Sequence, residues 1–237
     1  MRMCGRYSHS DKMGEIADLV RLGRVDLPPR YNIAPTQEAP VVVGYEGRGS
    51  LSRMRWGLVP HWARDAEGAA KLINARSETA AEKPAFRNAF RLRRCLVIAD
   101  GWFEWQTLGR AKLPWRVCAA RGEGLLTFAG LHESWRHPPP PGMGAVDADR
   151  LDTFTILTTE AAPGLEWLHL RMPCVIHRHD RLAWLDPATP PARLHEMLLP
   201  ADAADFQTYR VTPRMNSPRF EHPIAIEPLN EPDLFTG

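Results

Sequence analysis

The sequence predicts an α+β fold with an antiparallel β core. Segments of strand-like composition recur along the 237-residue chain, and Gly-rich or Asp-Gly turns separate several of them. The segments with helical spacing of apolar residues are short, and they do not alternate with strands as βαβ units do. The sequence also contains no internal repeat, Walker loop or dinucleotide-binding fingerprint, which argues against the common nucleotide-binding α/β folds.

The first third of the chain predicts one helix and one hairpin. Apolar residues at helical spacing from Asp11 to Leu22, behind Ser10 as an N-cap, predict the helix. Val41–Tyr45 and Leu51–Trp56 predict two strands joined through a Gly-rich turn. The segments on either side of this hairpin are predicted to be loops that carry polar and aromatic side chains: 30–36 and 57–62.

The middle of the chain predicts a short strand, a broken helix and two further hairpins. The strand is Lys71–Ala75, and the helix begins at Ser77 and is interrupted by Pro84. After this break Phe86 and Phe90 share one helical face. Asp100-Gly101, a strong turn signal, is predicted to join two strands, and a Gly-rich turn joins the next two. The strand pairs are Cys95–Ala99 with Trp102–Gln106, and Trp115–Ala120 with Leu125–Leu131.

The last part of the chain predicts a mixture of short elements. A surface loop with four consecutive prolines covers about 137–149. The predicted elements after it are a strand at Thr153–Thr159, a short helix at Glu160–Leu168, a strand at Val175–His177, amphipathic pieces at Arg181–Leu185 and Pro191–Leu198, and an extended, proline-interrupted end at Val211–Pro228.

Composition sets limits on the class of protein. A content of 44% hydrophobic and 24% charged residues is ordinary for a globular chain, and no apolar run is long enough to span a bilayer. No apolar stretch follows the first residues, as a secretory signal would require. We therefore expect a cytoplasmic protein without a membrane partner. The expected oligomeric state is a monomer. The cysteines are scattered without a CxxC pair, so we expect reduced thiols and neither a metal nor another cofactor; they are Cys4, Cys95, Cys118 and Cys174.

The charge of the chain leaves its partner open. The net charge is only +2, although arginine is far commoner than lysine. The guanidinium group suits phosphate oxygens, but the codon usage of a GC-rich genome explains the same excess better. Charge balance alone therefore does not identify a nucleic-acid partner.

The first residues hold the most reactive group in the chain. If translation starts at Met3 and that methionine is removed, Cys4 carries a free α-amine beside its thiol. These groups have pKa values of about 7.7–8.0 and 8.5, and together they capture an aldehyde as an imine that closes to a thiazolidine ring. The alternative is that Cys4 is an ordinary small apolar residue near a frayed terminus.

Three further polar residues interrupt apolar segments. Alternation along the strand places Glu104 on one face with Trp102, and burial there would raise the pKa of the carboxyl toward neutrality, which suits a general acid or base. A buried glutamate paired with an arginine is the alternative. Asn74 either holds a polar substrate group or caps a helix. His169 either protonates an oxygen or is structural, and Arg171 beside it can bind phosphate.

Six segments together resemble the SRAP family, the SOS response-associated peptidase or abasic-site processing family. They occur in the family order, and the match runs from residue 3 to about residue 229. The segments are Met3-Cys4-Gly5-Arg6-Tyr7, 30–35, 55–62, 73–79, Cys95–Trp105 and 169–173. The resemblance implies one α+β domain at 3–229 with a curved, barrel-like antiparallel core, a proline-rich insertion, leader residues 1–2 absent from the mature protein, and a tail at 230–237. It also implies a groove for single-stranded DNA that contains abasic sites. We expect the cytoplasmic protein to be associated with the nucleoid when it acts on such DNA.

The resemblance further implies a role for each matching residue. Cys4 is the nucleophile that forms a thiazolidine crosslink with the abasic aldehyde, and Asn74 orients the amine. Glu104 moves protons during ring closure and reversal, and His169 protonates the opened sugar oxygen. The positions matched to DNA binding, including an active-site threonine and a proline and a tryptophan that wedge or stack against bases, are Arg6, Asn32, Pro35, Trp62, Arg76, Thr158 and Arg171.

Two positions differ from the family pattern. Met1-Arg2 precedes Met3, and translation from Met1 would leave an amide at Cys4, so we expect either a start at Met3 or removal of the prefix by the protein itself. Leu170 stands where the family commonly has aspartate, which weakens any prediction of a partner for Arg171 but not the role of His169. Two other functions stay open: a cysteine peptidase that uses Cys4 with His169 as the base, and a non-covalent single-strand DNA binder.

Overall fold

The computed structural model describes residues 5–10, 27–45, 48–120, 125–136 and 150–229. Cys4, the predicted helix Asp11–Leu22 and the proline-rich segment 137–149 lie outside these described residues. The described residues form twelve strands: β1 Tyr7–His9, β2 Arg30–Ile33, β3 Glu38–Tyr45, β4 Arg48–Trp56, β5 Asn74–Arg76, β6 Arg94–Ala99, β7 Gly101–Leu108, β8 Ala111–Ala119, β9 Leu126–Arg136, β10 Arg150–Glu160, β11 Arg171–Pro173 and β12 Phe206–Arg210.

Seven strands form a sheet that closes on itself. Its order is β11-β10-β4-β3-β6-β9, with β5 beside β10. Strand β10 also pairs with β9, so that β10, β4, β3, β6 and β9 make a ring. The pairings of β10 with β4 and β5 are parallel, and the others are antiparallel. The predicted α+β class is confirmed, and the curved core takes the form of this ring.

The other five strands form a smaller antiparallel sheet in the order β12-β8-β7-β1-β2. Strand β1 is only three residues long and lies between β7 and β2, where Tyr7 pairs with both Trp102 and Ile33. Strand β1 begins three residues after Cys4, the predicted nucleophile.

The main core is formed by side chains from both sheets. Tyr7 packs edge-on against Trp56 with ring centroids 5.2 Å apart, and Trp102 packs in the same way against Phe128 at 6.0 Å. All four rings are buried and belong to one apolar cluster. Edge-to-face contacts of this kind stabilise the fold beyond the area they bury.

Short helices cover the second face of the ring sheet. Val41 belongs to the main core, whereas its neighbour Val42 packs under the helices with Phe90 and Trp184, as the two-residue period of a strand requires. The helices are Ser77–Ala80, Arg87–Leu92, Arg181–Leu185 and Pro191–Met197, and the 3-10 turns are Glu67–Lys71, Arg178–Asp180, Ala203–Asp205, Pro213–Asn216 and Pro223–Ile226. The predicted helices at Ser77 and in the two amphipathic pieces are confirmed, as is the β3–β4 hairpin.

The predicted hairpin at Asp100-Gly101 is wrong, because the chain changes sheets there. Strand β6 belongs to the ring sheet and β7 to the smaller sheet. The Asp100 carboxylate forms a buried ion pair with Arg116 at 2.9 Å and accepts hydrogen bonds from Ser8 Oγ and the Ser10 backbone N–H. A Cβ at Gly101 would lie 2.8 Å from the Val117 carbonyl oxygen, so glycine permits a close approach at this position.

The second predicted hairpin is also wrong. Strand β8 pairs with β7 and β12, whereas β9 pairs with β6 and β10. The true partners are β7 and β8, which join through Gly109-Arg110, with Gly109 at a φ of 58°. A turn signal identifies a change of direction but not the strand that will pair with the next one, because pairing depends on the tertiary packing.

Five smaller expectations also need correction. The segment 30–36, predicted to be a loop, contains strand β2 at Arg30–Ile33 because this stretch pairs with β1. The predicted strand Lys71–Ala75 begins only at Asn74, after a 3-10 turn, and Glu160–Leu168 forms successive turns rather than a helix because Pro163-Gly164 prevents a continuous helical ladder. The predicted strand Val175–His177 is an isolated bridge at Val175. The segment Val211–Pro228 contains two 3-10 turns that cover the outer face of the smaller sheet.

No helix in the described part of the chain has both the length and the apolar character needed to cross a bilayer.

Removing the Asp100 carboxylate should destabilise the fold strongly. Asp100→Ala leaves Arg116 as an unpaired buried charge, and we expect a loss of about 3–5 kcal/mol in the free energy of unfolding. The matched control is Asp152→Ala, whose ion pair with Arg150 is more exposed and should contribute less than about 1 kcal/mol. Urea unfolding measures both values, and equal losses would contradict the assignment.

The same ion pair gives a pH dependence. Burial raises the pKa of Asp100, but Arg116 and the hydrogen bonds from Ser10 and Ser8 outweigh burial and hold it below its usual value. The contribution of the Asp100 carboxylate to the free energy of unfolding is therefore fully present above the unfolded pKa of about 3.9. It is lost as the pH falls through the lower pKa of the folded state. Acid titration of Asp100→Asn should show a smaller loss of stability below pH 4 than the wild type.

Candidate functional site

A cleft of about 690 Å³ opens beside the start of β1. It is lined by residues from distant parts of the chain: Gly5, Arg6, Pro35, Ile73, Glu104, Trp105, Arg110, Lys112 and Asn216. Three of these side chains are cationic and one is a carboxylate. Gly5, which follows Cys4 directly, is therefore part of the wall of this cleft.

Glu104 lies between this cleft and a much smaller pocket. Its side chain is 4% exposed, and it lines both cavities. His169 and Arg171 line the small pocket, whose volume is about 10 Å³. The predicted alternation is confirmed, because Trp102 belongs to the main core while Phe103 packs on the opposite face of the sheet. The structure thus brings Glu104 and His169 together although they are far apart in sequence.

The backbone of Arg171 holds the His169 ring in place. Nδ1 of His169 lies 3.0 Å from the Arg171 N–H and 3.2 Å from the Arg171 carbonyl oxygen, and it accepts from the first or donates to the second according to its protonation. Burial lowers the pKa of His169 below its ordinary value. The imidazolium form of His169 is therefore a stronger acid than free histidine.

The carboxyl-terminal half of β10 positions three other predicted residues. In its parallel pairing with β5, Ile156 lies opposite Asn74 and Thr158 lies opposite Arg76. Asn74 is half-buried, Arg76 is exposed and Thr158 is fully buried. Ile73, directly before Asn74, lines the cleft. Asn74 therefore directly follows a residue of the cleft wall, and Arg76, two residues further along the same strand, is exposed.

Arg171 is tied to its neighbours through a carboxylate and a carbonyl. Its guanidinium makes two hydrogen bonds to Glu78, at 2.8 and 2.9 Å, and a further one to the Thr158 carbonyl oxygen. Arg171 therefore has a carboxylate partner, Glu78, although Leu170 directly before it weakens the prediction of such a partner. Leu170 itself is 73% exposed.

Arg6 is oriented by groups from both ends of the chain. Its Nη1 donates to Asn32 Oδ1 at 2.9 Å and to the Met215 carbonyl at 3.1 Å, and the guanidinium carbon lies 5.5 Å from the Trp105 ring centroid. Burial lowers the pKa of Arg6. Among the described residues no carboxylate forms an ion pair with Arg6, so its charge is available to an anion in the cleft.

Asn32 lies beneath Arg6 and is fully buried. Its amide donates to the carbonyls of Ser217 at 3.1 Å and Phe220 at 2.7 Å, while its oxygen accepts from Arg6. These contacts support an indirect role in which Asn32 orients Arg6, and contact between Asn32 and DNA stays a prediction.

Pro35 and Trp62 lie on the two loops that flank the β3–β4 hairpin. Pro35 lines the cleft, and Trp62 is 58% exposed. Thr36, next to Pro35, has a φ of 72° and is the only non-glycine residue with positive φ among the described residues. Its N–H donates to the Trp56 carbonyl at 2.8 Å, which holds the strained turn in place.

Sequence reasoning missed part of the cleft wall. Arg110 and Lys112 lie at and beside the β7–β8 turn, and Asn216, within the segment predicted to be extended, reaches the same wall. Trp105 Nε1 donates to Asn216 Oδ1 at 2.7 Å, and this hydrogen bond joins the β7–β8 hairpin to the C-terminal segment. The Gly109 turn was the available signal for this hairpin, but only the true strand pairing brings its cations to the site.

No group of three or more His, Cys, Asp or Glu side chains that could hold a metal occurs within the described ranges. The polar groups of the site are instead suited to proton transfer and to anion binding.

Comparisons with known proteins agree on one family. A family model described as SOS response associated peptidase (SRAP) matches residues 3–218. The abasic site processing protein YoqW of Bacillus subtilis is 36% identical over 234 residues, covering 95% of this chain and 99% of that protein. The abasic site processing protein HMCES of Gallus gallus is 30% identical over 231 residues, covering 85% and 66%.

Solved structures show the same fold. A crystal structure of a protein from Bacteroides thetaiotaomicron superposes with a TM-score of 0.79 at 24% identity, covering 95% of this chain and 100% of that one. A phage-related protein from Bordetella bronchiseptica gives a TM-score of 0.67 at 27% identity, covering 88% and 94%.

The position of Asn32 generates a testable difference between two asparagines. Asn32→Ala removes three buried hydrogen bonds and should cost about 1–3 kcal/mol in the free energy of unfolding, besides weakening anion binding by the cleft. Asn88→Ala, at an exposed helical position, should change stability by less than about 0.5 kcal/mol. Urea unfolding of both variants checks this, and a neutral Asn32→Ala would contradict the assigned contacts.

Proposed function

Because the chain belongs to the SRAP family, we propose that it processes abasic sites in single-stranded DNA by covalent capture through Cys4. The observation that carries the proposal is the position of Glu104, a buried carboxylate between a cationic cleft that Gly5 lines and a pocket that His169 lines. The printed names of the curated relatives, abasic site processing proteins, support the substrate class.

The proposed reaction is condensation with an aldehyde. The ring-opened sugar of an abasic site presents an aldehyde at C1′, and the free α-amine of Cys4 adds to it and loses water to give an imine. The Cys4 sulfur then adds to the imine carbon, and the nitrogen gains a proton. One aldehyde and one terminal cysteine thus give one thiazolidine and one water, with no oxidant or reductant.

Glu104 and His169 supply the proton transfers in this scheme. A carboxylate in an apolar, mostly enclosed position can accept the amine proton and return it during loss of water and ring closure. His169, which lines the small pocket with Glu104, donates a ring proton to the sugar oxygen that ring opening releases. Asn74, which directly follows Ile73 of the cleft wall, orients the amine.

The cationic wall binds the DNA backbone. Arg6 is available to a phosphate oxygen, and Arg110 and Lys112 extend the positive surface along the β7–β8 hairpin. Arg76 and Arg171 are the other predicted phosphate contacts, and the carbonyl of the active-site threonine Thr158 holds Arg171. Pro35 and the exposed Trp62 stack against or wedge between bases, an interaction worth about 1–3 kcal/mol per base and indifferent to sequence.

The mechanism requires a free amine on Cys4. This amine arises either from a start at Met3 with removal of that methionine, or from cleavage of the prefix by the protein's own Cys4. Mass spectrometry of the native protein should give a chain that begins at Cys4. Active protein that retains Met1 would contradict the thiazolidine chemistry.

The family name suggests a second candidate function, that of a cysteine peptidase. One gel distinguishes DNA crosslinking from peptidase activity alone. Wild-type protein incubated with single-stranded abasic DNA should give a slowed band that survives denaturation. Cys4→Ala should abolish the band, whereas Cys118→Ala, which removes a buried thiol far along β8, should leave it unchanged. A peptidase without crosslinking activity would give no band with any of these proteins.

The role of Glu104 has its own test. Glu104→Gln keeps the shape of the side chain but removes its charge, and we expect a loss of at least about 100-fold in the rate of crosslink formation or reversal. DNA binding should be retained, and exposed Glu82→Gln should match the wild type. Rapid-quench gels measure the rate, and an unchanged rate in Glu104→Gln would refute the proton-transfer role.

A further inference from the structure

Two tryptophans outside the predicted set form a pair on the surface beside the site. The ring centroids of Trp115 and Trp167 lie 4.9 Å apart at an interplanar angle of 81°. Trp115 is half-buried on β8, and its Nε1 donates to Gln106 Oε1 at 3.2 Å, which fixes its ring. Trp167 is 48% exposed in the turns that precede β11.

The pair adjoins both groups that the proposed chemistry uses. Trp115 lies directly opposite Glu104 in the β7–β8 register, so the two side chains leave the same face of the sheet as neighbours. Trp167 is two residues from His169, and Leu168 between them lines the small pocket with Glu104. A ligand that extends from Glu104 along this face therefore meets the tryptophan pair.

The pair keeps an open aromatic surface. In an edge-to-face contact the edge of one ring covers one face of the other. The remaining ring faces are not covered by this contact. Trp115 packs partly against the main core, whereas Trp167 and the neighbouring Leu170 stay largely exposed. Buried Leu165 and Leu168 anchor the turns, so Trp167 is not needed to fill the core.

We infer that Trp115 and Trp167 form a stacking platform for an unpaired nucleobase that flanks the lesion. The inference rests on the proposed function. The occupant is a base of single-stranded DNA because the adjoining cleft carries three cations for its phosphates and because every base offers a π-face to an aromatic ring. Trp62 and Pro35 lie on loops of the ring sheet, so this platform takes the base on the other flank of the lesion.

The test separates base stacking from general affinity. Binding is measured by fluorescence anisotropy with single strands that contain a tetrahydrofuran abasic analogue, which cannot form the crosslink. Trp167→Ala should bind such a strand at least about fivefold more weakly than wild type. Trp167→Phe, which keeps an aromatic face, should recover most of the affinity.

Two further strands identify the base. In each, the bases on one side of the lesion are replaced by abasic spacers. Wild type should bind both of these strands more weakly than the strand with all flanking bases. On one of them Trp167→Ala should bind as tightly as wild type, because the base that stacks on Trp167 is already absent. On the other, Trp62→Ala, the matched control, should bind as tightly as wild type for the same reason. If Trp167→Ala binds like wild type, or weakens all three strands by the same factor, no base stacks on the platform and the inference is overturned.

The crosslinking gel keeps this result separate from the proposed chemistry. If wild type gives no slowed band but the base-dependent loss in Trp167→Ala persists, the covalent mechanism fails and the platform stands. If the band forms and Trp167→Ala shows no base-dependent loss, the mechanism stands and the platform fails. Wild type that binds none of the strands would overturn both.

Discussion

The buried carboxylate of Asp100 is the constraint on which the arrangement of the site depends. It lies where the chain leaves the ring sheet and enters the smaller sheet, and it binds Arg116 of β8 together with Ser8 and Ser10 around β1. A three-residue strand offers few backbone hydrogen bonds of its own, so these side-chain contacts hold it in register. Gly5 and Arg6, directly before β1, thereby hold a fixed position in the wall of the cleft.

The site lies where segments distant in sequence converge on the two sheets. Glu104 comes from the smaller sheet, Asn74 and Arg171 pair with β10 of the ring sheet, and Arg6 is supported by the Met215 carbonyl near the end of the described chain. The Glu104 carboxylate is largely buried, whereas the guanidinium groups of Arg6 and Arg110 and the ammonium group of Lys112 line the cleft beside it. The arrangement combines a low-polarity centre for proton transfer with a cationic edge for a polyanion.

Several polar side chains have partners that local sequence patterns do not predict. Leu170 stands at the family's aspartate position, yet Glu78 holds Arg171 through two hydrogen bonds. Asn32 resembles a surface DNA-binding residue in its motif, but the C-terminal segment buries it. Charged and polar side chains find partners wherever the fold brings complementary groups within about 3 Å, and sequence spacing carries no information about such distant partners.

The sequence by itself determined the fold class, most short helices, the β3–β4 hairpin and the alternation that buries Glu104 beside Trp102, because these depend on periodicity and propensity within a few residues. Its six motifs also identified the family. Only the tertiary structure decided that Asp100-Gly101 is a change of sheet, that β7 pairs with β8, and that Arg110, Trp115 and Trp167 stand beside the site. Strand pairing is set by packing between residues far apart in the chain, and no local pattern encodes it.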